Sequence, residues 1–191
     1  MPDEGSDPIR IVAALRARDV SFVLTGGLAA AARGSAVTTA DVEVCVADDE
    51  ANLLRLGLAL EDLVATPAPS EHDDEHRVSF RSTAGRFAIL EAPEGYEALR
   101  ARSADTDLGR GVTARVAAVE DLVELARASG DLGSAAHLAS FAEDVPDEPM
   151  VIEDQASDEP RRTERMWSAL ERVDSFLSDL DSRGLKRRRD G

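Results

Sequence analysis

The chain has 191 residues, and its 38 acidic residues against 22 lysines and arginines give a formal net charge of −16 at pH 7. A surface this acidic repels phosphodiester backbones over a long range, so we expect no binding to extended duplex nucleic acid. The apolar share of 43% is enough for the core of one domain with an appendage. No apolar run approaches the length of a membrane span, and a single cysteine, Cys45, excludes an internal disulfide. We therefore expect a cytoplasmic protein that does not contact membranes.

The order of the predicted elements indicates an α+β domain. Helices are predicted where apolar residues recur at spacings of three and four, and strands where apolar residues alternate with polar ones. In chain order these elements are a helix opened by Asp7-Pro8, a strand at 21–25, an Ala-rich helix to about Arg33, a strand at 41–46, a helix capped by Asp48 or Asp49, a loop from Thr66 to Glu75, strands near 77–82 and 86–91, a helix near 95–103, a strand near 112–117, and helices near 119–129 and 131–142. Alternating strands and helices with one hairpin predict a mixed sheet with helices against it.

Composition divides the sequence into four segments. Residues 1–142 carry the alternating elements, and residues 143–160 form an acidic linker that contains prolines. Residues 161–183 predict an amphipathic helix, and 184–191 form a basic tail. The helix could bind a partner protein or a second copy of the chain, or it could fold back onto its own domain.

Two neighbouring motifs carry the chemistry of the chain. In the strand at 41–46, strict alternation places Asp41, Glu43 and Cys45 on one face. Two carboxylates on one face of a half-buried strand are unfavourable, because their like charges raise the pKa of one of them or demand a nearby cation. The glycines Gly26 and Gly27 break the preceding strand and open a helix, where bare backbone N–H groups can meet phosphate. Phosphate on one element and metal-binding carboxylates on the next predict nucleotidyl transfer.

These motifs together resemble the nucleotidyltransferase fold, in the form seen in small bacterial toxin–antitoxin and abortive-infection proteins. The resemblance covers about residues 20–140 and implies a mixed β-sheet flanked by helices. It rests on four segments, namely the Gly26-Gly27 turn, the Thr39-x-Asp41-x-Glu43 strand, the helix that starts near Asp49, and the Val119-Glu120-Asp121-Leu122 helix start.

The resemblance also implies a role for each motif residue. Asp41 and Glu43 would be the catalytic carboxylates and would bind Mg²⁺. The residues that would hold the nucleoside triphosphate are Thr25, Gly26, Gly27 and Thr39. The triphosphate would then donate its nucleotide to a hydroxyl group of RNA or protein.

The chain departs from the family pattern at four positions. Val37 replaces an arginine, Glu43 replaces an aspartate, Ala88 stands at the position of the third acid, and Ala126 replaces a lysine. Loss of a general base lowers a rate by about 10²–10⁴. The departures therefore predict a weakened or inactive enzyme. The alternative is a non-catalytic binding or regulatory partner in a toxin–antitoxin or phage-defence system.

Other candidate residues carry weaker signals. Glu91 could replace the missing acid, but its odd spacing from Ala88 puts the two residues on opposite faces of a strand. His72 and His76 could bind a transition metal, or they could belong to a solvated charged loop. The arginines that could line a basic pocket, or simply lie on the surface, are Arg33, Arg77, Arg81 and Arg86.

Overall fold

The computed structural model describes residues 6–36, 41–69 and 77–143. In chain order the described elements are α1 (Pro8–Ala17), β1 (Phe22–Thr25), α2 (Gly26–Ala32), β2 (Val42–Val46), α3 (Glu50–Asp62), β3 (Thr66–Ala68), β4 (Arg77–Ser82), β5 (Gly85–Leu90), α4 (Tyr96–Arg102), β6 (Ala104–Asp107), β7 (Thr113–Val116), α5 (Val119–Ala128) and α6 (Leu132–Glu143). The sequence predictions that lie outside the described residues are those for Val37, Thr39, His72 and His76, the linker after residue 143, the helix at 161–183 and the tail at 184–191.

The described strands form one sheet in the order β3-β4-β5-β2-β1-β7-β6. Parallel pairing joins β2 to β5 and β1 to β7, and the other neighbours are antiparallel. The sheet is therefore mixed, and helices flank it, as the sequence predicted. Within the described ranges, no helix combines the length and the apolar character that crossing a membrane requires.

Both edge strands of the sheet were missed by sequence analysis. The prediction of a loop from Thr66 is wrong for its first residues, because β3 pairs there with β4 and Pro67 lies opposite Phe80. Proline is tolerated on an edge strand, where one side of the backbone has no ladder partner. The other edge strand, β6, carries Asp105 and Asp107 and is largely exposed. Edge strands bury little surface, so neither shows the apolar alternation that predicts a strand.

The centre of the sheet is covered on both faces. Val42 and Val44 are fully buried on one face of β2, and Cys45 on the other face is 3% exposed. Helix α1 packs against α3, β2 and β5, whereas α2 packs against β1, β2 and α5. Helix α6 packs against α5. Glu43 therefore lies on a strand whose other residues are apolar and buried on both faces of the sheet.

Asn52 is a fully buried polar residue that joins α3 to the sheet. Its Oδ1 accepts a hydrogen bond from the Ser21 backbone N–H at 2.6 Å, and its Nδ2 donates to the Ser21 and Ala47 carbonyls at 3.0 and 2.8 Å. These contacts join the residue before β1 to the residue after β2. Because β1 and β2 are antiparallel neighbours, Asn52 clamps the end of the pair that lies away from Glu43.

We expect Asn52→Ala to lower the free energy of unfolding by about 2–4 kcal/mol, because buried backbone groups lose their hydrogen-bond partner. Urea denaturation measures this loss. Glu61→Ala, at an exposed position of the same helix, is the matched control and should leave the midpoint nearly unchanged. Equal losses in the two variants would contradict the clamping role.

Candidate functional site

A row of four residues crosses the middle of the sheet at the predicted site. Thr25 of β1 pairs with Glu43 of β2, Glu43 pairs with Ala88 of β5, and Ala88 pairs with Ser79 of β4. Side chains that are directly opposite each other in neighbouring strands point to the same face of the sheet. Ala88 therefore stands directly beside Glu43, at the place where the resemblance locates a third acid, and it is 1% exposed.

Glu43 forms an ion pair with Arg77, and sequence analysis did not predict this partnership. Arg77 Nη1 donates to Glu43 Oε1 over 2.6 Å, and each side chain is 21% exposed. The two residues belong to β4 and β2, which are separated by β5. Neighbouring strands lie about 4.8 Å apart, so the arginine reaches across about 10 Å of sheet. On the intervening strand β5, Leu90 lies opposite Arg77 and Ala88 lies opposite Glu43.

Of the four arginines that the sequence offered, Arg77 lines the pocket at this site. Arg33 instead donates to the Val116 and Ala117 carbonyls at 2.6 and 2.9 Å, and thereby fastens the end of α2 to the end of β7. Arg81 is exposed and lies opposite Arg86 in the β4–β5 ladder.

Gly26 makes room for the Glu43 carboxylate. Its φ of +66° lies in the left-handed region, which glycine adopts without strain. A Cβ on Gly26 would lie 2.8 Å from Glu43 Cδ and 2.9 Å from Glu43 Cβ, closer than carbon atoms can pack. Helix α2 does begin at this glycine, as predicted. The structure adds a second reason for the glycine, because the carboxylate rests against the junction of β1 and α2.

Thr25 has a buried hydroxyl beside this junction. The residue is fully buried and precedes the first turn of α2, but its side chain makes no capping hydrogen bond. Among the described residues, its Oγ1 has no hydrogen-bond partner. A buried hydroxyl without a partner costs about 1–3 kcal/mol. The predicted nucleotide-binding role of Thr25 therefore falls on a residue whose hydroxyl is available for a hydrogen bond.

A pocket of about 410 Å³ opens above Glu43 and Arg77. Its floor is the sheet, one wall is the start of α2, and the facing wall is the α5–α6 pair. The apolar residues that line it are Ala30, Leu90, Leu122, Leu125, Ala126 and Leu138, and the polar and charged ones include Glu43, Arg77, Ser129, Asp131, Ser134 and His137. This volume and this mixture are typical of small-molecule sites. Ala126, where the resemblance expects a lysine, therefore lines the same cavity as Glu43.

Helix α5 of this wall is held in place by an ion pair with a buried aspartate. Asp121, in the predicted helix start of α5, is 6% exposed and accepts hydrogen bonds from Arg102 Nε and Nη2 at 2.8 and 2.6 Å. This bonding raises the pKa of the Arg102 guanidinium further above its usual value. Asp121 thus fixes α5 against α4 and acts as a positioning residue for the pocket wall.

The described residues do not by themselves form a Mg²⁺ site. Mg²⁺ requires near-octahedral oxygen ligands, commonly with two or more carboxylates or phosphates among them. Asp41 and Glu43 could supply two carboxylates, but Arg77 already occupies one oxygen of Glu43 and compensates its charge. Ala88 supplies no ligand. Within the described ranges, no group of three or more His, Cys, Asp or Glu side chains is arranged to hold a metal ion.

No family model and no curated protein match the chain. Several solved structures are similar to it. A candidate nucleotidyltransferase from Thermotoga maritima is 15% identical, with a TM-score of 0.48, over 71% of this chain and 90% of that one. The antibiotic-resistance factor ANT(2'')-Ia in solution is 14% identical, with a TM-score of 0.48, over 93% and 95% of the two chains. The crystal structure of ANT(2'')-Ia in complex with adenylyl-2''-tobramycin is also 14% identical, with a TM-score of 0.48, over 88% of this chain and 95% of that one. Similarity at this level decides nothing about chemistry, so the function has to follow from the pocket.

We expect Gly26→Ala to be much more destabilising than Gly111→Ala. Both glycines have a positive φ, +66° and +74°, but a Cβ at Gly111 meets nothing within 4 Å. The free energy of unfolding of the control, Gly111→Ala, should therefore fall by only about 1–2 kcal/mol, from the strain of a left-handed backbone. The free energy of unfolding of Gly26→Ala should fall by about 1–3 kcal/mol more, because the methyl group displaces the Glu43 carboxylate in a packed site.

Denaturant titration of both variants measures the difference. In a Glu43→Ala background the extra loss at Gly26 should shrink without vanishing, because the carboxylate is gone but the Cβ of residue 43, at 2.9 Å, remains. An extra loss of unchanged size in that background would show that the Glu43 carboxylate is not its cause.

Proposed function

We propose that this chain is a nucleotidyltransferase-like protein that binds a nucleotide in the pocket above Glu43 and has lost metal-dependent transfer. The observation that carries this proposal is the strand register, which puts the buried methyl group of Ala88 beside Glu43. At this point a transfer enzyme of the resembled family would hold its third acid.

The replacement removes two chemical functions from the site. A methyl group can neither accept the proton of an attacking hydroxyl nor bind a metal ion. Loss of a general base alone lowers a rate by about 10²–10⁴. The remaining carboxylate of the row, Glu43, is held by Arg77 at 2.6 Å and is not available as a base in that state. These facts support the weakened or inactive form of the enzyme hypothesis.

The pocket lining suits a nucleotide in the absence of transfer chemistry. Its apolar wall, with Leu122 and Leu138, can cover the faces of a base and a sugar. The opposite end offers the guanidinium of Arg77 to phosphate oxygens, and guanidinium and phosphate form charge-assisted hydrogen bonds. The backbone of Gly26 and Gly27 lines the pocket near Glu43, and the buried hydroxyl of Thr25 belongs to the residue just before Gly26.

A binding pocket of this kind also accords with a non-catalytic role beside another protein. The proposed biological setting is a toxin–antitoxin or phage-defence system, as the resemblance implies. The predicted helix at 161–183 remains the segment through which we expect a partner or a second copy of the chain to bind.

We expect Ser134→Trp to abolish nucleotide binding by filling the pocket. Ser134 lines the pocket from α6 and is exposed, so the indole should be accommodated without unfolding the domain. Calorimetric titration of the four ribonucleoside triphosphates in Mg²⁺ buffer measures the binding. Ser140→Trp, at an exposed position of the same helix, is the matched control and should bind as the unaltered chain does. Equal binding by both variants would place the ligand elsewhere.

We further expect no nucleotidyl transfer that depends on Asp41. The full chain is incubated with α-labelled nucleoside triphosphates, Mg²⁺ or Mn²⁺, and bulk RNA, and label on RNA and on protein is counted. Asp41→Asn should give the same background as the unaltered chain, because the site lacks its base. Label that appears with the unaltered chain and vanishes with Asp41→Asn would establish an active transferase.

A further inference from the structure

The ion pair in the pocket gives the site a cation of its own. We propose that Arg77 takes the place of a divalent metal, so that the pocket binds the phosphates of a nucleotide without Mg²⁺. This inference rests on the proposed function and defines how that function works. It starts from the position of one charge, at Arg77 Nη1, which is 2.6 Å from Glu43 Oε1.

The Glu43 carboxylate creates the need for such a cation. It rests against Gly26, at the junction where a bound phosphate would approach the backbone. Two negative groups at this distance repel each other strongly when water is largely excluded. In a metal-dependent enzyme, Mg²⁺ between carboxylate and phosphate removes this repulsion. Here the compensating charge next to the carboxylate is the guanidinium of Arg77.

The chemistry of arginine fits this task. A guanidinium carries five N–H donors in a planar fork that matches the oxygens of phosphate. Among the described residues, the hydrogen bond of Arg77 is the one from Nη1 to Glu43. Arg77 lines the pocket and is 21% exposed, so further donors are within reach of a ligand. One side chain can thus bridge carboxylate and phosphate, as a metal ion would.

The same arrangement opposes metal binding. A divalent cation at Glu43 would have to displace a hydrogen-bonded guanidinium or lie beside it, and like charges disfavour the second arrangement. Ala88 offers no ligand in return for that cost. The missing third acid and the arginine contact therefore both disfavour a metal ion at Glu43.

Calorimetric titration of the full chain with ribonucleoside triphosphates, in EDTA and in excess Mg²⁺, tests this inference. We expect dissociation constants in the two buffers within about threefold of each other. Arg77→Met should weaken binding in EDTA by about tenfold to a hundredfold, as expected for loss of hydrogen bonds to a charged group. Arg81→Met, an exposed arginine on the same face of β4, is the matched control and should bind normally.

Arg77→Met leaves Glu43 without its counter-ion, so the double variant Glu43→Gln/Arg77→Met is tested in parallel to preserve the fold. It removes the repelling carboxylate together with the guanidinium that would bond to phosphate, so in EDTA it should bind more weakly than the unaltered chain and less weakly than Arg77→Met. Unaltered affinity in the double variant would overturn the inference, because Arg77 would then have only a structural role.

The other outcomes separate the inference from the function on which it rests. Binding that requires Mg²⁺ would overturn the role of Arg77 and leave nucleotide binding intact. The absence of binding in both buffers would overturn the inference together with the proposed nucleotide-binding function.

Discussion

A carboxylate in the middle of a buried sheet is the constraint on which the rest of this structure depends. Glu43 rises from a strand whose neighbouring residues are apolar and enclosed, and a charge in that position is unfavourable without a partner. The partner, Arg77, comes from β4, which β5 separates from β2. Gly26 yields the space that the carboxylate occupies. Strand order, side-chain size and backbone conformation are thus adjusted to one another around a single charge.

The central part of this arrangement could be predicted from the sequence. The glycine break at Gly26, the alternation of the strand that carries Glu43, and the cap at Asp49 are local signals. The structure contains the corresponding turn, strand and helix, and the strand begins at Val42, one residue after Asp41. The strand register also puts Ala88 next to Glu43, as the family pattern implies. Patterns that span a few residues, or that follow the spacing of a known motif, predict local structure well because backbone geometry alone determines that structure.

What the sequence could not predict depends on contacts between distant segments. The edge strands β3 and β6 exist because their neighbours offer hydrogen bonds, whereas their own residues are polar or include Pro67. The pairing of Arg77 with Glu43 depends on which strand lies between β4 and β2, and no local pattern encodes that order. The buried role of Asn52 could not be predicted either. A single asparagine among the leucines of a helix has the same sequence pattern whether it faces solvent or bonds to two strands.

The parallel pairing of β1 with β7 has a consequence for how the protein folds. Leu24 lies beside Val116, so the strand that ends at the pocket has a free edge until most of the described chain has been made. Contacts of such long range require the closure of a large loop and form slowly. During synthesis the core strands would expose their apolar surface before α5 and α6 emerge. Chaperone dependence and sensitivity to truncation within α6 should therefore accompany this topology.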